Sequence, residues 1–171
     1  IVPPPLAKHV PVPPARALSA AASLASAVRD DSCVPIDLVV GFAETATGLA
    51  ILVAQSLAGS DPMDIIHSTR VPCVSPPAPS CAVSFTEDHS HAADHELQPA
   101  QAGFLTGRRH ILLVDDEVTS GRMVANLVRE LVSGNPGCQF TLACLIDAQP
   151  LPQAVAEMAA SRDVQLRLVA L

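Results

Sequence analysis

Residues 111–114 are Ile-Leu-Leu-Val, and they run without a spacer into Asp115-Asp116-Glu117. Four aliphatics with nothing polar between them read as a strand covered on both faces, the habit of a parallel sheet. A hydroxyl-and-glycine turn comes next, Thr119-Ser120-Gly121-Arg122, inside an amphipathic stretch over 118–132 that reads as a helix. A buried strand ending in two carboxylates and a tight turn places charge at the carboxyl end of a sheet. That is where open α/β folds bind their ligands.

The rest of the chain repeats the strand–loop–helix unit. Apolar runs at 36–41, 63–67, 140–146 and 164–171 read as strands. Residues 17–29, 48–57 and 152–160 read as helices, the first of them rich in alanine. Such alternation implies an α/β fold, a Rossmann-like, mainly parallel sheet flanked by helices. A chain of 171 residues fits a single domain over 1–171. Two segments stand apart. Residues 1–16 carry six of the sixteen prolines and read as an extended arm, since proline fixes φ and lacks an N–H donor. Residues 68–107 are polar and proline-punctuated, with one strand-like patch at 81–85, and read as a mobile flap. Arm and flap together are expected to form a small hood over the sheet.

Composition excludes several functions. The formal net charge is -7, from 10 basic and 17 acidic residues, which argues against a nucleic-acid partner. Aromatic residues make up 2%, with no Trp or Tyr, too few for a base-stacking platform. Lys8 is the sole lysine, so a catalytic lysine elsewhere is excluded. The cysteines at 33, 73, 81, 138 and 144 are odd in number and form no CxxC pair. They read as small buried hydrophobes in a reducing compartment rather than a disulfide or zinc framework. The apolar run at 49–57 is too short to span a bilayer, and no signal-peptide pattern opens the chain. A soluble, cytoplasmic protein is expected.

The turn at 119–122 presents backbone N–H groups at a helix start, where donors and the helix dipole favour a phosphate. Asp115 and Asp116 stand one step away and can accept hydrogen bonds from sugar hydroxyls. Together they describe a pocket for a ribose 5-phosphate group. The plainer alternative is a capped helix, with Asp116 or Thr119 as the cap. A second strand–loop–helix, Gly41-Phe42-Ala43-Glu44-Thr45-Ala46-Thr47-Gly48, has small residues that let amides approach a diphosphate, though Glu44 repels one unless magnesium lies between or the carboxylate points away. Its alternative is an ordinary loop with a capping threonine. Arg70 ends the 63–67 unit, and its planar donors suit phosphate oxygens; a solvated surface arginine is the other reading. The histidines His89, His91 and His95 leave three readings open: a flap closing over substrate, a metal site with His91 and His95 on one helix face, or a solvated loop.

The segment "ILLVDDEVTSG" resembles the phosphoribosyl-pyrophosphate motif of type I phosphoribosyltransferases, with Glu117 and Arg122 standing where an apolar and a small residue are usual. The combination of "GFAETATGLA", "HSTR", "EDHSHAADHEL" and "LLVDDEVTSG" is similar to the orotate-phosphoribosyltransferase-like family of tellurium-resistance and stress-response gene clusters, over residues 6–147. The resemblance implies a magnesium-dependent glycosyltransferase of nucleotide metabolism, acting on phosphoribosyl pyrophosphate and a base. In it, Asp115 and Asp116 act at the ribose and touch the metal indirectly. Thr119, Ser120, Gly121 and Arg122 hold the 5-phosphate. Ala43, Glu44, Thr45, Ala46, Thr47 and Arg70 hold the diphosphate. A homodimer is also implied. Two rivals remain: a non-catalytic sensor that keeps the pocket, and a response-regulator receiver, which "ILLVDDE" also resembles but which needs a later lysine that this chain lacks.

Overall fold

The computed structural model describes residues 11–59, 61–71, 82–86, 94–146 and 151–171. In chain order the elements are α1 (Pro14–Asp31), β1 (Leu38–Gly41), α2 (Ala46–Ala58), β2 (Ile65–Thr69), β3 (Val83–Thr86), β4 (Asp94–Leu97), β5 (His110–Val114), α3 (Arg122–Val132), β6 (Gln139–Cys144), α4 (Gln153–Arg162) and β7 (Gln165–Ala170). The seven strands form one sheet in the order β3-β4-β2-β1-β5-β6-β7. From β2 through β7 the neighbours are parallel, whereas β4 pairs antiparallel with both β2 and β3. The sheet is therefore mixed.

Strands β1 and β5 are buried along their whole length, as their unbroken aliphatic composition demands. Their side chains alternate between two cores. Val39, Leu112 and Val114 pack with α1 and α2; Leu38, Val40, Ile111 and Leu113 pack with α3 and α4. Each fully buried Leu, Val or Ile stabilises the fold by about 1.5–3 kcal/mol. Helix α3 buries Val124, Ala125, Leu127, Val128 and Leu131, one face at the helical repeat. Among the described residues no helix is long and apolar enough to cross a membrane.

Four sequence expectations need correction. Helix α1 begins at Pro14, inside the supposed arm, because the first helical position needs no N–H donor. Helix α3 begins at Arg122 rather than 118, because Gly121 adopts φ 70° and no helix runs through a left-handed residue. The segment 68–107 contributes β3 and β4 to the sheet instead of forming only a flap, and β2 extends through Ser68 and Thr69. Cys33 is exposed, while Cys138 and Cys144 are buried. Residues 1–10 of the arm, with His89, His91, Cys73 and Cys81, lie outside the described residues.

At the amino ends of the strands a polar lock joins the sheet. Asp37 accepts from the backbone N–H groups of Arg109 and His110, at 2.9 and 3.3 Å. Arg108 donates to the carbonyls of Asp37 and Phe104 and pairs with Asp64 at 2.7 Å. His110, 1% exposed, bonds the Val34 carbonyl and the Thr141 hydroxyl.

Candidate functional site

The order of strands reverses beside β1. The chain leaves β1 through α2 to reach β2 on one side, and leaves β5 through α3 to reach β6 on the other. The loops after β1 and β5 therefore diverge and leave a crevice between them, the topological switch point of an open α/β sheet. A cavity of about 380 Å³ lies there, lined by the loops 43–45 and 115–122, by Arg70 and by the first turn of α3.

The carboxylate pair is built into the sheet. Asp115 N–H donates to the Ala143 carbonyl at 3.0 Å, and Leu145 N–H donates to the Asp116 carbonyl at 3.3 Å. Glu117 forms a parallel bridge with Ile146. The backbone of the pair thus continues the β5–β6 ladder, which fixes both side chains. Asp115 is 8% exposed and Asp116 6%, so both carboxylates stand on the cavity wall with little access to bulk water. Asp115 Oδ1 also accepts from the Asp116 N–H at 2.9 Å.

Gly121 closes the turn. Its φ is 70°, and a Cβ there would stand 2.5 Å from Val155 Cγ2 and 2.7 Å from Pro152 Cβ. The turn leans on the start of α4, a wall that the sequence does not reveal. Neither α2 nor α3 has a side-chain cap hydrogen bond. The N-cap positions fall on Thr45 and Gly121, so α3 is not capped from Asp116 or Thr119; Arg122 N–H turns back to Ser120 Oγ at 3.5 Å, and a helix start of this kind suits an anion.

Across the cavity, Ala43 N–H donates to Ser68 Oγ at 2.9 Å. The Ala43–Glu44 peptide bond is cis. Glu44 and Thr45 are exposed, Ala46 is buried, and Thr47 is half-buried with its N–H 3.5 Å from the Glu44 carbonyl. Arg70 lines the cavity and donates through Nε to His95 Nε2 at 3.2 Å. His95 is fully buried in β4 and stacks on Phe85. This overturns the helix-face metal reading for His91 and His95, since His95 belongs to a strand of the sheet. In β2, His67 stands against Gly41, where a Cβ would meet His67 Nδ1 at 2.5 Å and Ala50 Cβ at 2.6 Å. Burial holds the His67 imidazole below the usual histidine range, which keeps the ring neutral near pH 7.

Among the described residues, no three His, Cys, Asp or Glu side chains come together as a metal cage. Magnesium takes only one or two carboxylates beside waters and substrate phosphates. The donor set of Asp115 and Asp116 suits an ion that arrives with a diphosphate. Sequence reasoning brought the acid pair, the turn, the 43–45 loop and Arg70 to one cavity; it missed Ser68, Phe85, Pro152 and Val155. Burial reveals Phe85, Pro152 and Val155, whose residue types carry no motif, and gives a role to Ser68, which the HSTR motif contained without assigning it one.

A family model described as phosphoribosyl transferase matches residues 1–171. No curated protein matches the chain at a significant level. Among solved structures, the chain is similar to the adenine phosphoribosyltransferase of Rhodothermus marinus, with a TM-score of 0.60 and 18% identity over 92% of this chain and 80% of that one. The adenine phosphoribosyltransferase of Trypanosoma brucei, solved with AMP, pyrophosphate and ribose-5-phosphate, gives a TM-score of 0.58 and 14% identity over 88% of this chain. This chain spans 63% of that enzyme's length. The orotate phosphoribosyltransferase of Francisella tularensis gives 0.51 and 17%, over 92% of this chain and 67% of that one. At these identities the likeness is one of fold.

Proposed function

Because the chain belongs to the phosphoribosyl transferase family, we propose that it moves ribose 5-phosphate from phosphoribosyl pyrophosphate to a nitrogenous base and releases diphosphate. The observation that carries this reading is the cavity at the β1/β5 switch point, where a buried acid pair faces a glycine turn. In this reading the amides of 119–122 and the Thr119 and Ser120 hydroxyls hold the 5-phosphate. Asp115 and Asp116 accept hydrogen bonds from the ribose 2- and 3-hydroxyls. Their charge offsets the positive charge that develops on the sugar as the bond from C1 to the diphosphate oxygen breaks. A base nitrogen attacks C1, and the diphosphate leaves along the 43–45 loop, the start of α2 at Ala46 and Thr47, and Arg70. Bound Mg2+ supplies a clamp on that departing negative charge. In the same reading His89 and His91, which lie outside the described residues, help keep water from the reacting sugar.

The reading takes 1–171 as one catalytic domain acting in the cytoplasm, with a homodimer as its assembly. It places the chain with the orotate-phosphoribosyltransferase-like proteins of tellurium-resistance gene clusters, on the four motifs that carry that resemblance. A second reading, a sensor that binds but does not turn over, draws on the charge of the cavity. Among the described residues, Glu44, Asp115, Asp116 and Glu117 line it with Arg70 and Arg122, four carboxylates against two guanidiniums. Incubation with phosphoribosyl pyrophosphate, Mg2+ and a panel of bases separates the two. Diphosphate release with one base supports the transferase, and binding without release supports the sensor. Asp116→Asn is expected to abolish turnover while leaving the fold intact; wild-type turnover in that variant refutes the assignment.

A further inference from the structure

We propose that His95 is a positioning residue that joins the 43–45 loop to Arg70, so that the two move as one unit around the diphosphate half of the cavity. The proposal rests on reading that cavity as a phosphoribosyl pyrophosphate site and adds the device that aims it. His95 has no exposed surface, an unusual place for an imidazole, and its ring is gripped by packing. It stacks on Phe85 with centroids 5.4 Å apart and planes 30° apart. Phe85 in turn meets the edge of Phe42, the first residue after β1, at 6.2 Å. Strands β3 and β4 and the end of β1 thereby fix where both ring nitrogens point.

Each nitrogen has a partner. Nε2 lies 3.2 Å from Arg70 Nε, and Nδ1 lies 3.3 Å from Ser68 Oγ. A guanidinium offers donors only, so Nε2 must present its lone pair and the ring hydrogen must sit on Nδ1. The Nδ1–H then donates to Ser68 Oγ, which also accepts from the Ala43 N–H at 2.9 Å. One neutral ring thus links the amide of the loop to the guanidinium lining the cavity, and the partners dictate the tautomer. Neither a lysine nor an imidazolium could fill this place, because neither has an acceptor for Arg70. His95 touches no ligand in this arrangement; it acts through Ser68 and Arg70.

The test uses the full chain and two readouts. Nitrogen-15 NMR of the ligand-free protein should show His95 neutral with its hydrogen on Nδ1, and an Arg70 Nε–H that exchanges slowly and loses that protection in His95→Phe. Calorimetry then compares Mg2+-diphosphate with ribose 5-phosphate. His95→Phe keeps the ring stack and should weaken diphosphate binding roughly 10- to 100-fold, the loss of a hydrogen bond to a charged group, with ribose 5-phosphate binding unchanged. His95→Gln, whose carbonyl can accept from Arg70, should recover most of that loss. Equal weakening toward both ligands in the Phe and Gln variants, or toward neither, overturns the proposal, as does an Nε2–H tautomer or an imidazolium in the wild type. If the wild type binds neither ligand while the NMR pattern holds, the link stands and the reading of the cavity falls.

Discussion

Replacing Gly121 by alanine tests whether the turn rests on α4 as described. Two costs meet at this position. The backbone has φ 70°, which disfavours an L side chain by about 1–2 kcal/mol. The added methyl would also lie 2.5 Å from Val155 Cγ2 and 2.7 Å from Pro152 Cβ, well inside contact distance. Overpacking of that kind costs about 1–3 kcal/mol, so the sum is about 2–5 kcal/mol. Gly137 isolates the first cost, since its φ is 74° and a Cβ there meets nothing within 4 Å. Gly41 isolates the second, because its φ is not positive but a Cβ would strike Ala50 and His67. Urea unfolding of the three alanine variants should therefore rank Gly121 as the most damaging. In thermal unfolding its midpoint should fall further than that of Gly137→Ala by roughly 4–8 °C, about 2 kcal/mol in a chain of this size. Ribose 5-phosphate affinity should drop for Gly121→Ala and hold for Gly137→Ala. If the two variants lose the same stability, the loop does not lean on Pro152 and Val155, and the account of the turn is wrong.

Two further outcomes are expected. Burial, reinforced by the Asp37 charge and only partly offset by the Ile111 backbone hydrogen bond, pushes the Cys138 thiol up to about 11 from an ordinary 9.0. The folded state thus keeps a proton that the unfolded chain releases. The associated stability is complete below pH 9 and declines between about pH 9 and 11, by about 2 kcal/mol in all. Denaturant titrations across that window should show the slope, and Cys138→Ala should reduce it relative to the wild type, in which the four other cysteines and Lys8 titrate in the same range. Arg108→Lys keeps the charge but loses the fork that donates to Phe104 and Asp37 while pairing with Asp64. It should cost about 1–3 kcal/mol of stability and leave phosphoribosyl pyrophosphate affinity unchanged. A changed affinity at unchanged stability would contradict its structural role.

The acid pair and its turn were legible because their signal is local. An unbroken aliphatic run, two carboxylates and a glycine announce a strand end within a dozen residues, whatever surrounds them. Strand β4 was not legible, since Asp94-His95-Glu96-Leu97 shows little apolar alternation, and its place is set by pairing with Ser68, Thr69 and β3. His95 is buried there through its ring stack and its two hydrogen bonds, not through hydrophobicity. The true start of α3 was hidden for a similar reason. Val118 is buried and keeps an apparent helical period with the residues beyond it, but Gly121 turns left-handed against a residue thirty-one positions away. Contacts between distant segments decide such details, and no window along the chain contains both partners.

The polar lock of Asp37, Asp64, Arg108 and His110 lies at the opposite rim of the sheet from the cavity. Foundation and workshop are thus separate storeys of one building. Substitutions upstairs can retune which guest is admitted without loosening the footing, and damage to the footing need not announce itself in the choice of guest. A lineage carrying this scaffold has room to change its chemistry while keeping its architecture.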